Sequence, residues 1–184
     1  MKKTIIAVAL LGSLGFVGAA SAEISASQTF TWSGTVPAKP TSKGWVIAAP
    51  TGAPIGNGIL TFTTDIESKG ELTGSTALRF NVFKELTSGV ANPDEPAASY
   101  NYSLISLAVN SSGLAQEQDA DGYYAIQSNN GGVVKPMVKN SSFDGAAGET
   151  ILNVIKSSAD TPSNQPMAGD SVEVQASIVV EGAV

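Results

Sequence analysis

The stretch Ile24-Ser25-Ala26-Ser27-Gln28-Thr29-Phe30-Thr31-Trp32-Ser33-Gly34-Thr35-Val36 decides how this chain reads. Serine or threonine fills every odd position, while Ile24, Ala26, Phe30, Trp32 and Val36 dominate the even ones. Side chains alternate across a strand, so this pattern describes a long strand with one apolar and one hydroxylated face. The breaker run Pro37-Ala38-Lys39-Pro40 follows at once, tethering the strand through a segment that cannot continue it. With no hairpin partner close in sequence, the strand completes either its own domain or that of a neighbouring molecule.

The preceding residues read as a bacterial-type signal peptide. Met1-Lys2-Lys3 is a basic start, residues 5–17 are apolar, and Ala20-Ser21-Ala22 is a small-x-small cleavage signal. The apolar run is short and glycine-interrupted, and no later segment is long enough to span a bilayer as a helix. The expected organisation is residues 1–22 as signal peptide, 23–36 as N-terminal extension and 37–184 as one β-domain, exported and without a membrane span.

Cleavage removes Lys2 and Lys3, leaving eight basic residues against 16 acidic ones, a net charge of −8. The remaining basic residues are scattered singly and form neither a phosphate-binding stripe nor a polybasic membrane patch, so nucleic acid is not an expected partner. Cysteine is absent, which in an exported protein leaves packing and strand pairing, or a partner, to supply stability.

The body reads as all-β. Runs rich in β-branched and aromatic residues occur at 45–49, 59–63, 77–83, 102–109, 123–127, 133–138, 151–155 and 172–180. Turn-forming segments separate them, including 52–58, 92–96, 129–132 and 160–166. About eight strands at this spacing predict a sandwich. Asn130-Gly131 marks a tight hairpin, and the stretches 67–76 and 89–98 read as loops. In the last run Val172, Val174, Ala176, Ile178 and Val180 alternate with more polar residues, which predicts a half-buried strand near a sheet edge.

Candidate chemistry is sparse. Without histidine or cysteine the chain carries no Ser-His-Asp triad, thiol nucleophile, His-ligated zinc or CxxC site, and no cofactor is expected. Paired carboxylates would suffice for glycoside hydrolysis, but Asp94-Glu95 and Asp119-Ala120-Asp121 sit in turn-like segments, so the chain is not read as an enzyme. Glu117, Asp119, Asp121 and Gly122 imitate the opening of an EF-hand loop, yet Ser128 stands where the bidentate acid belongs, and a solvated acidic turn is the simpler reading. Tyr100, Tyr102, Tyr123 and Tyr124 could stack on sugars if exposed; cross-strand packing is the plainer role. Three Asn-x-Ser sequons begin at Asn101, Asn110 and Asn140, and the bacterial leader makes them coincidental.

Three short patches carry a family resemblance: Thr31-Trp32-Ser33-Gly34-Thr35, then Thr41-Ser42-Lys43 with Val46, and Gly169-Asp170-Ser171-Val172-Glu173-Val174-Gln175. With the signal peptide and the cysteine-free β-body, they make the chain resemble the major subunits (pilins) of chaperone–usher fimbriae, most closely the common pilus fimbrillin and the alpha-type colonisation-factor pilins. The patches lie at the two ends; residues 52–165 match only by strand pattern. The resemblance implies an incomplete immunoglobulin-like sandwich, filled first by a periplasmic chaperone and then, at an outer-membrane usher, by the N-terminal donor strand of the next identical subunit. It implies a surface fimbria serving adhesion or biofilm formation, with room for a separate tip adhesin. Ile24, Ala26, Phe30, Trp32 and Val36 would be the plugs, Gly34 the small residue at a shallow point, and Val172, Val174, Ala176, Ile178 and Val180 the acceptor edge. Gln28 interrupts the apolar face, so the register there stays open. The competing expectation is a self-contained secreted binding module for carbohydrate or matrix, in which residues 24–36 are an ordinary first strand.

Overall fold

The computed structural model describes residues 44–110 and 116–184. The body falls within one compact unit, Pro40–Val184. Its described residues form twelve strands and no helix: β1 (Trp45–Ala48), β2 (Leu60–Thr64), β3 (Gly70–Ser75), β4 (Leu78–Thr87), β5 (Val90–Pro96), β6 (Ser99–Asn110), β7 (Gln116–Glu117), β8 (Tyr124–Asn130), β9 (Val133–Pro136), β10 (Ser142–Ala146), β11 (Thr150–Lys156) and β12 (Glu173–Glu181). Every strand pairing is antiparallel.

Two sheets make the sandwich. The wider follows the order β1-β4-β11-β8-β9, with β5 also on β4; the narrower follows β10-β6-β12, with β7 also on β6; β2 and β3 form a separate ribbon. Phe80 and Val82 of β4 and Ile126 of β8 meet Tyr100, Tyr102, Leu104 and Leu107 of β6 in the main core, all of them buried. A second cluster joins Leu72 of β3 to Val109, Tyr123 and Tyr124. The ribbon therefore closes one end of the sandwich, and the Lys156–Glu71 ion pair, at 2.6 Å, fixes it to the end of β11.

Two stretches expected to be loops are strands. Residues 67–76 contain β3, whose Leu72 enters the core and donates its backbone N–H to the Tyr123 hydroxyl at 2.8 Å. Residues 89–98 contain β5, where Pro93 and Pro96 are tolerated because pairing with β4 is irregular at each step of the ladder. The hairpin expected at Asn130-Gly131 joins β8 to β9, but its two turn residues are Gly131 and Gly132, with φ of 59° and 83°. Both therefore sit in the left-handed region that a type I′ turn demands, and Asn130 becomes the last residue of β8.

The four tyrosines are buried, at 1–3% exposure, which removes them as a sugar-stacking surface. Three of them satisfy the hydroxyl, each differently. Tyr100 bonds to Thr150 Oγ1 at 2.6 Å, Tyr102 donates to Ser128 Oγ at 3.1 Å, and Tyr123 accepts from Leu72. The Tyr124 hydroxyl is buried without a hydrogen-bond partner among the described residues, and burial holds its phenol well above the ordinary tyrosine range. Removing that hydroxyl relieves a desolvation penalty, so Tyr124→Phe is expected to stabilise the fold by about 1 kcal/mol. Urea unfolding checks this, and a loss of stability would contradict it.

Candidate functional site: an open sandwich edge

β6 is covered on one edge by β10 and β7 and on the other by β12. β12 pairs only with β6, so its outer edge presents unpaired backbone groups among the described residues. Its register places Glu173, Gln175, Ser177, Val179 and Glu181 on the outer face and Val174, Ala176, Ile178 and Val180 toward the core. That inward row is not fully covered. Val174, Ile178 and Val180 are half-buried and Ala176 is exposed. Val172, just before the strand, is half-buried beside the second cluster.

In the wider sheet the ladder order ends at β1. Trp45 and Ile47 pack against the same core cluster as Ile178 and Val180, and they too are only partly covered. In the ladder order the narrower sheet has two strands fewer than the wider one. A cleft lined by residues of both β9 and β10 puts those two strands on one side of the sandwich, so β12 and β1 bound the other. Partly covered apolar side chains of both sheets therefore lie near the outer edge of β12 and mark a candidate slot. Such an edge invites pairing with another strand unless charge, proline or a bulge blocks it. β12 has one irregularity, between Ser177 and Ile178, and its two glutamates stand at its ends.

Chemically the slot offers backbone hydrogen bonds along β12 and hydrophobic contact from both sheets. No cluster of three or more metal-ligating acids occurs among the described residues. In the EF-hand-like segment, Glu117 is held by Lys139, whose hydrogen bond keeps its carboxyl below the usual range. The backbone carbonyl of Asp119 accepts from Gly122 N, and that of Asp121 from Ser163 N, as in a structured turn.

The candidate plugs Ile24, Ala26, Phe30, Trp32, Gly34 and Val36 lie outside the described residues. Missed by sequence reading is the second cleft, of about 560 Å³, on the β9–β10 side. Tyr102 and Phe143, stacked with ring centroids 5.7 Å apart, contribute to its apolar lining, and Lys135 and Asp144 add opposite charges. Its lining comes from residues 98–102, 130–135 and 143–146, which meet only once β10 has paired with β6, so no local signal marks it.

No protein-family model matches the chain, and no curated protein matches it.

Proposed function

We propose that this chain is the repeating structural subunit of an exported surface fibre and that it polymerises by strand donation. Residues 23–36 of one copy lie along the outer edge of β12 in the next, and the fibre serves adhesion or biofilm formation. The single observation that carries this reading is the inward but only partly covered row Val174, Ala176, Ile178 and Val180 on an edge strand. A 13-residue alternating segment on a proline-bounded tether is the matching ligand in shape and chemistry. Its apolar positions suit the slot, and its serines and threonines suit the solvated side.

Under this reading the domain is an immunoglobulin-like sandwich short of one strand. A chaperone in the periplasm and an usher in the outer membrane are the partners that handle such an open domain before assembly, as in the fimbriae the chain resembles. A strand inserted into a domain that must unfold to release it dissociates slowly, which gives a fibre kinetic durability without disulfides.

Ala176 provides the test. It faces the slot yet is exposed in the isolated chain, so Ala176→Lys places a charge where the incoming strand must lie while leaving the monomer's own contacts intact. Surface changes of this kind move stability by only about 0.5 kcal/mol. The expected outcome is loss of polymer on native gels and in electron micrographs, with an unchanged melting curve for the monomer. Normal polymerisation of this variant would contradict the proposal.

A further inference from the structure

The turn between β2 and β3 is a rigid, exposed apolar tip. Asp65 Oδ1 accepts hydrogen bonds from the backbone N–H groups of Glu67 and Lys69, both at 2.8 Å. Asp65 N donates to Lys69 O at 2.9 Å, and Ser68 takes a positive φ of 61°. At the apex Ile66 is fully exposed, flanked by a Glu67–Lys69 ion pair of 2.7 Å. Met167, bridged to Lys69, adds a second exposed apolar side chain beside the tip. A lone surface isoleucine is unremarkable. One presented on a turn whose backbone is already fixed has little ordering left to lose on binding.

The strand register places a complementary surface at the other end of the same body. β11 runs from Thr150, paired with Asn130, to Lys156, paired with Tyr124. Lys156 bonds to Glu71, and the β2–β3 turn lies beyond that end. The 560 Å³ cleft lies at the Thr150 end, where Asn130 lines it. Its volume falls within the range of about 300–1,000 Å³ usual for binding clefts. Tyr102, Phe143 and Val133 supply apolar lining; Lys135 and Asp144, both exposed, form no ion pair among the described residues.

We infer that Ile66 of one copy seats in the β9–β10 cleft of the next. Glu67 then faces Lys135 and Lys69 faces Asp144, so the charges at the tip complement those of the cleft. A tip at one end and its socket at the other make a heterologous contact, which propagates along a line of copies and does not close on itself as a twofold pair would. This inference rests on the fibre reading, and it assigns a contact separate from the β12 edge.

The absence of cysteine permits a direct test, because Ile66→Cys combined with Val133→Cys introduces the only thiols in the chain. Both positions are exposed, so the full-length double variant should fold and melt as the wild type does. The expected result, after assembly, mild oxidation and boiling in denaturant without reductant, is a ladder of covalent multimers that collapses to monomer on reduction. Either single variant should give dimers at most. Polymers of the double variant that boil down to monomer, or that match the single variants, would overturn the contact while leaving strand donation intact. A wild-type chain that forms no polymer at all would overturn the fibre reading and this contact with it.

Discussion

Thr150→Val is expected to destabilise the body by about 2 kcal/mol, a large effect for the exchange of one hydroxyl for a methyl group of similar size. Thr150 is completely buried. Its Oγ1 is the centre of a polar cluster, meeting the Tyr100 hydroxyl at 2.6 Å and accepting from Asn130 Nδ2 at 2.8 Å. Asn130 Oδ1 in turn accepts from the backbone of Ala146 at 2.9 Å. These bonds tie β6, β8, β10 and β11 together across both sheets. Valine would leave two buried polar groups with only their long mutual contact of 3.3 Å. Burial already raises the Tyr100 phenol above its ordinary range, against the pull of Thr150, which marks how dry the site is. The melting temperature should fall by about 4–8 °C, at about 2–4 °C per kcal/mol for a body of this size. An unchanged melting curve would contradict the view that this cluster fixes the packing of the two sheets. The contrast with Tyr124→Phe is instructive: removing a satisfied hydroxyl costs stability, and removing an orphaned one gains it.

The other large effect concerns the open edge. Burying the side chains of Ile24, Phe30, Trp32 and Val36 would each contribute about 1.5–3 kcal/mol. Fixing the backbone costs about 1–2 kcal/mol per residue and offsets much of this, as well as the new ladder hydrogen bonds. The balance is tipped by the acceptor. Under strand donation, filling the slot would cover Val174, Ile178, Val180, Trp45 and Ile47, so part of the stabilisation would appear in the domain and not in the strand. Binding to the folded state alone shifts the unfolding equilibrium by mass action, and the shift grows with strand concentration. Under the proposed strand donation, a marginal isolated domain and a strongly stabilised complex are the two expected expressions of one open edge.

Much of this body was legible in the sequence where packing and local preference agree. β1, β6, β11 and β12 are rich in branched and aromatic residues, and each lies in or overlaps a run marked by composition. β3 and β5 were not legible, because Gly70-Glu71-Leu72-Thr73-Gly74-Ser75 and a strand holding two prolines resemble loops until a partner strand is present. Tertiary contact overrides weak β preference in both. Tyrosine burial was hidden for a different reason: the side chain is amphipathic, and whether its hydroxyl meets water, Thr150 or Ser128 depends on residues far away in sequence. The alternation of residues 172–180 revealed a two-faced strand. It did not reveal that Ala176 faces inward and is nonetheless exposed, since that depends on the absence of a neighbour beyond β12 among the described residues. The β9–β10 cleft was invisible because its lining forms only when β10 pairs with β6.

The most direct measurement is the thermal unfolding of residues 37–184, alone and with a peptide spanning residues 23–36 added in trans. Strand donation predicts a marginal domain whose melting temperature rises by roughly 10 °C or more with excess peptide, and from which the peptide escapes only as the domain unfolds. A domain that melts cooperatively at high temperature and is indifferent to the peptide would contradict the proposal, and residues 24–36 would then be the first strand of a self-contained secreted sandwich.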